Sequence, residues 1–219
     1  GAWNPALPFG YYGDQLNAEM LLNAVKVDGD ALMTEDGVRY RLLMIQNEQN
    51  KSMTIEVLRK IDEFVSGGGA VCGFAPVRTP NLSSDAETRE FKALTQKLWG
   101  GISNGGVKQV GKGRVFATLD AGMVMKSLGI VPDLELSFEE DAPINFIHRI
   151  YGDADIYFLA NHRRSPETVV ATFRSYGNRP ELWNADTGEI LDVNVYDILP
   201  DGRVRFTLQF DPVGSWFVI

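Results

Sequence analysis

Arg41-Leu42-Leu43-Met44-Ile45 (RLLMI) is the stretch on which the reading of this chain turns. Four apolar residues in a row, with no polar alternation, mark a strand covered on both faces. Downstream, Thr54 is placed to start a helix with Leu58, Ile61 and Val65 inward, and Gly67-Gly68-Gly69 ends it. Ala70–Phe74 (AVCGF) then reads as a second buried strand. Ser84 and Glu87 have capping-box spacing and open a helix with Phe91, Leu94 and Leu98 on one face, closed by Gly100-Gly101. Arg114–Thr118 is a further strand, and Asp120–Leu128 a short helix stopped by Gly129 and Pro132. Upstream, Asp14 is expected to cap a helix with Ala18, Leu21, Leu22 and Val25 on its apolar face. A hairpin comes next, turning at Glu35-Asp36-Gly37 between Ala31–Met33 and Val38–Tyr40. Strand and helix in alternation predict a parallel sheet with helices on its faces, a flavodoxin-like α/β layout for residues 1–133. Its usual first strand is expected upstream of Gly1, a residue that reads as the scar of a trimmed start.

Past residue 133 the helical pattern stops. Ile144–Ile150, Ile156–Asn161, Thr168–Arg174, Glu181–Asn184, Glu189–Val193, Val204–Phe210 and Ser215–Ile219 read as strands. Turn signals separate them at Tyr151-Gly152-Asp153, Tyr176-Gly177-Asn178, Asp186-Thr187-Gly188 and Pro200-Asp201-Gly202. Val204, Phe206, Leu208 and Phe210 share one face by period-two alternation. Short strands at this spacing predict an antiparallel β-sandwich over residues 134–219, with the acidic run Glu139-Glu140-Asp141 as linker or first loop.

Composition narrows the function classes. The chain has 219 residues, 44% of them hydrophobic, with 21 Lys+Arg against 29 Asp+Glu and a net charge of -8. That balance repels a phosphate backbone, so nucleic acid and anionic membrane surfaces are poor partners. A single Cys forbids an intrachain disulfide and a Cys-cluster metal site. No apolar run approaches the roughly 20 residues of a membrane helix.

Each candidate for chemistry competes with a plainer reading. Cys72 ends a predicted strand in Gly69-Ala-Val-Cys72-Gly73, where strand-to-helix elbows carry nucleophiles. The residues after it make the stiff loop Phe74-Ala-Pro76-Val-Arg-Thr-Pro80, and both His residues, His148 and His162, fall in the second part. A buried structural thiol is the favoured reading over a Cys-dependent amidohydrolase. His148 reads as a hydrogen-bonded strand histidine and His162 as a solvated loop histidine. Asp28-Gly29-Asp30 and Asp153-Ala154-Asp155 lack the rest of a calcium loop and read as turns. Gly105-Gly106 and Gly111-Lys112-Gly113 read as a surface hairpin, not a phosphate loop. Tyr11, Tyr12 and Trp183 are the candidate sugar contacts, as rings able to stack on a pyranose; Trp3 and Phe9 lie beside the first two.

The order of several short words resembles the later part of glycoside hydrolase family 106. They include Asn4-Pro-Ala-Leu-Pro-Phe-Gly10, Asn17-Ala-Glu-Met-Leu-Leu22 and Gly37-Val-Arg-Tyr-Arg-Leu-Leu-Met44. Met53-Thr-Ile-Glu-Val-Leu-Arg-Lys60, Gly68-Gly-Ala-Val71, Pro76-Val-Arg-Thr-Pro80 and Leu98-Trp-Gly100 continue the pattern. So do Phe146-Ile-His-Arg149, Asp153-Ala-Asp-Ile-Tyr-Phe158 with Asn161, and Pro180-Glu-Leu-Trp183 with Thr187-Gly188. The resemblance implies a class I glutamine amidotransferase-like three-layer α/β domain and then a β-sandwich, downstream of a TIM-like barrel that holds the catalytic carboxylates of an inverting, calcium-assisted α-L-rhamnosidase. No matched word carries the family's acid, base or calcium ligands, so no catalytic residue, metal ligand or cofactor is expected in this chain. The expectation is a non-catalytic accessory region of an exported enzyme, with the upstream catalytic domain as partner. An autonomous carbohydrate-binding module is the alternative.

Overall fold

A computed structural model describes residues 7–45, 52–80, 84–137, 143–176 and 179–219. The chain divides into two units, one spanning Gly13–Ile130 and the other joining Val131–Ile219 to a leading segment that ends at Tyr12.

In the Gly13–Ile130 unit, α1 (Ala18–Asn23) is capped by Asn17, whose side chain accepts from the Met20 amide at 2.8 Å. Asp14, expected as the cap, instead accepts a hydrogen bond from the Tyr40 hydroxyl. Val25 leaves the helix and starts β1 (Val25–Asp28), which pairs antiparallel with β2 (Ala31–Thr34), and β2 with β3 (Arg39–Tyr40). Next come β4 (Leu42–Met44), α2 (Ile55–Gly67), β5 (Ala70–Cys72), α3 (Asp85–Trp99), β6 (Val107–Val110), β7 (Gly113–Phe116) and α4 (Ala121–Leu128). A second sheet runs β4-β5-β7-β6, parallel across its first three strands and antiparallel at β6. Thr54, Ser84 and Asp120 cap α2, α3 and α4, and Ser84 with Glu87 completes a reciprocal capping box. Phe64 of α2 is fully buried, and its ring fills the space beside Gly69 so tightly that a Cβ there would lie 2.0 Å from it. Val71 packs with α2 and α3, whereas Ala70 and Cys72 pack with Phe116 and with Val124 of α4.

This overturns the fold class expected from sequence. The described residues form four sheets with few helices, and a flavodoxin-like, amidotransferase-like three-layer domain is not what the first part makes. The reason lies between residues 25 and 40. Gly29 (φ +60°) and Gly37 (φ +88°) reverse the chain in tight turns, so the strands pair as an antiparallel meander. A parallel pairing needs a crossover of about a dozen residues or more, and none is available there.

The other unit is antiparallel throughout. Its strands are β8 (Leu134–Leu136), β9 (Ile144–Tyr151), β10 (Ala154–Asn161), β11 (Glu167–Tyr176), β12 (Glu181–Asn184), β13 (Ile190–Asp192), β14 (Asp197–Ile198), β15 (Arg203–Phe210) and β16 (Ser215–Val218). One sheet runs β13-β12-β16-β10-β9 and the other β14-β15-β11-β8. Inward residues of both, among them Phe146, Leu159, Phe173, Phe206 and Leu208, form one core. Burying each such side chain contributes about 1.5–3 kcal/mol. Buried Asn161 uses its amide fully, donating to the Ser165 and Asp211 carbonyls and accepting from the Arg163 amide. The acidic run at 139–141 and the Gly177-Asn178 turn lie outside the described residues.

Candidate functional site

Strand registry builds the polar centre of the sheet-rich unit. His148 on β9 stands directly opposite Tyr157 on β10, and their rings stack with centroids 4.1 Å apart. His148 Nε2 lies 2.9 Å from Asp155 Oδ1, and its Nδ1 lies 3.6 Å from Asp133 Oδ1. Arg174 of β11 grips the same Asp133 carboxylate, its Nε donating at 2.7 Å. Burial alone pushes the Asp133 carboxyl up, but the His148 hydrogen bond and the Arg174 charge outweigh it and hold the group below its ordinary value. Burial, with Asp155 and Asp133 nearby, raises the Tyr157 phenol. The arrangement is a carboxylate–imidazole–carboxylate–guanidinium chain that orients the imidazole from both nitrogens.

The expected sugar contacts do not converge. Tyr12 is 59% exposed, yet its ring packs edge-on against Phe146 and its hydroxyl donates to the Phe146 carbonyl. Tyr11 is partly buried, and that burial together with Glu135 raises its phenol. Trp183 lies on the opposite face of the five-stranded sheet. There the registers line up Ile147, Phe158, Phe217, Trp183 and Ile190 as a row across all five strands. Trp183 is 38% exposed, and its indole donates to Glu181 at 2.9 Å. Trp3 lies outside the described residues.

The remaining candidates sit in structural roles. Cys72 is fully buried, its thiol donates to the Thr118 carbonyl at 2.9 Å, and burial, then the charge of Asp120, pushes it up to about 11. A thiol so placed is a poor nucleophile. Asp28 and Asp30 flank the β1–β2 turn and pair with Arg39, while Asp155 sits just past the β9–β10 turn and holds His148. His162 is exposed, with its amide donating to the Pro143 carbonyl. Gly111 (φ +58°) makes the β6–β7 turn, and Lys108 donates to the Gln96 and Gly100 carbonyls at the end of α3. Among the described residues no group of three or more His, Cys, Asp or Glu could hold a metal ion.

Asp133, Tyr157 and Arg174 were not legible as site residues. Residue 133 and residue 174 meet only because β11 pairs with β8, and no spacing rule signals that. The period-two pattern of 144–161 could have placed His148 and Tyr157 on the same face.

The model of glycoside hydrolase family 106, described as alpha-L-rhamnosidase, matches residues 2–198. A rhamnosidase structure from Novosphingobium sp. PP1Y superposes with a TM-score of 0.87 at 32% identity, covering 97% of this chain and 20% of that one. A Formosa agariphila protein provisionally named a beta-glucuronidase is 29% identical over 96% of this chain and 17% of its own length. The GH42 beta-galactosidase Gan42B from G. stearothermophilus, as its E323A mutant, reaches a TM-score of 0.50 at 14% identity, a likeness of fold alone. The chain thus spans about a fifth of the rhamnosidase and a sixth of the curated relative.

Proposed function

Because this chain belongs to glycoside hydrolase family 106, the α-L-rhamnosidases, we propose that it is a non-catalytic accessory region of such an enzyme, packing against and supporting an upstream catalytic domain. The observation that carries this reading is the superposition of nearly the whole chain on one-fifth of a rhamnosidase. The polar groups agree with a supporting role. Cys72 is sealed in the core, and the carboxylates of Asp133 and Asp155 are engaged by Arg174 and His148. An aryl α-L-rhamnoside assay on the 219-residue chain tests it. No turnover is expected; turnover abolished by substituting one carboxylate overturns the reading.

A second reading, an autonomous carbohydrate-binding module, is favoured by the apolar row Phe158–Phe217–Trp183 on the outer sheet face. It requires that glycan binding by this chain be lost in Trp183→Ala while its melting temperature is kept.

A further inference from the structure

Every strand of the five-stranded sheet turns an apolar residue outward at one level: Ile147, Phe158, Phe217, Trp183 and Ile190. With strands about 4.8 Å apart, the row runs roughly 20 Å across the sheet. An antiparallel sheet with one covered face ordinarily turns polar residues to water on the other. The four-stranded sheet of the same unit does so, with Arg205, Thr207 and Gln209 outward on β15. The five-stranded sheet does not. At its two edges Ile147 is 48% exposed and Ile190 54%, and between them the half-buried rings of Phe158 and Phe217 lie with centroids 4.9 Å apart.

The chemistry of the row fits a protein surface better than a sugar. The two Phe rings are tilted by 49°, so they offer no shared flat platform. Ile147 and Ile190 present branched aliphatic carbon, which supplies area but no stacking face. The polar groups of the adjoining row are engaged within the chain. Arg149 donates to the His148 carbonyl at 2.9 Å, Glu181 accepts from the Trp183 indole at 2.9 Å, and Asp192 pairs with Arg179 at 3.0 Å. An apolar centre with charges at its margin is the anatomy of a protein–protein interface. The length of the relatives indicates which protein. Nearly all of this chain superposes on 20% of the rhamnosidase, so four-fifths of that enzyme lies outside the matching region.

We propose that the outer face of the five-stranded sheet, centred on Phe217 and Trp183, docks on an apolar surface of the upstream catalytic domain. The proposal rests on reading the chain as an accessory region and names the face through which it packs.

Hydroxyl-radical footprinting, read by mass spectrometry at Trp183 and Phe217, compares the 219-residue chain with the full-length enzyme of which it is read as a part. Both rings are expected to oxidise about fivefold or more slowly in the enzyme, as aromatics shielded at the centre of an interface. Equal oxidation in the two overturns the proposal, and so does protection of Trp183 in the isolated chain by a rhamno-oligosaccharide. Ile147→Glu combined with Ile190→Glu places charges on the two edge strands, where both side chains are exposed. The melting temperature of the isolated chain is expected to stay within about 2 °C, while that of the enzyme falls by several degrees. An enzyme as stable with the two charges as without them overturns the proposal. The footprint itself needs no variant, so a double variant that fails to fold leaves the decision to it. The aryl rhamnoside assay on the isolated chain reads the accessory role separately. Equal oxidation without turnover removes this face and leaves that role standing, whereas turnover removes the role whatever the footprint shows.

Discussion

His148 and Tyr157 stack face to face across the β9–β10 pair, with ring planes 1° apart and centroids 4.1 Å apart. The stack places a polar ring between Asp155 on one side and Asp133 with Arg174 on the other. Its stability therefore depends on charges that three different strands and the start of β8 bring together.

Removing one of those charges should be felt throughout the unit. Asp133→Asn keeps the shape but leaves Arg174 and His148 without their shared carboxylate. A loss of about 2 kcal/mol is expected, the scale of hydrogen bonds to a charged group. Urea unfolding monitored by tryptophan fluorescence checks it, and an unchanged midpoint would show the network to be idle.

The same carboxyl sets a pH dependence. Burial raises the Asp133 pKa, but His148 and Arg174 together hold it below the unfolded value of about 3.9. A depressed carboxyl contributes stability that is complete above the unfolded value and drains away as pH falls through the folded one. The urea midpoint of the native chain should drop below about pH 4, and Asp133→Asn should lose less over that window.

Cys72 tests the sealed thiol. Its folded pKa is pushed up to about 11, chiefly by burial. At pH 8 iodoacetamide should label the folded chain on the order of a hundredfold more slowly than the urea-unfolded chain. Equal rates would mean that the strand end is open and the amidohydrolase reading alive.

Gly69 has no room for a methyl group. A Cβ there would meet the Phe64 ring at 2.0–2.3 Å, and Phe64 is fully buried. Gly69→Ala is expected to cost about 1–3 kcal/mol by overpacking. A melting temperature matching the native chain would show that Phe64 can swing aside.

The α3 capping box gives a milder perturbation. Ser84 Oγ accepts from the Glu87 amide, and the Glu87 carboxylate accepts from the Ser84 amide at 2.8 Å. Ser84→Ala should cost about 1 kcal/mol, read as a small fall in melting temperature with amide exchange increased in the first turn of α3.

Local features of the fold were legible because they depend on neighbours along the chain. The Thr54, Ser84 and Asp120 caps and the Gly129 stop satisfy backbone groups within a turn or so. The alternation of Val204, Phe206, Leu208 and Phe210 reports burial on one face of a single strand. The layout of the first part misled, because the apolar run at 41–45 says that a strand is covered without saying what pairs beside it. Val25, placed on a helix face by its spacing, belongs to an antiparallel strand instead.

By itself, then, the amino-acid sequence determined where α2, α3 and α4 begin and end, which strand faces turn inward, that Cys72 is a core thiol, and which family the chain resembles. Each of these rests on short-range spacing or on the order of short words. Only the tertiary structure decided that the described residues form four sheets, that Asp133 and Arg174 meet, that His148 stacks on Tyr157, and that Tyr12 and Trp183 lie on opposite faces of one sheet. Those are pairings between residues that registry brings together across strands, and the energy that selects one registry comes from the whole core, not from any segment read alone.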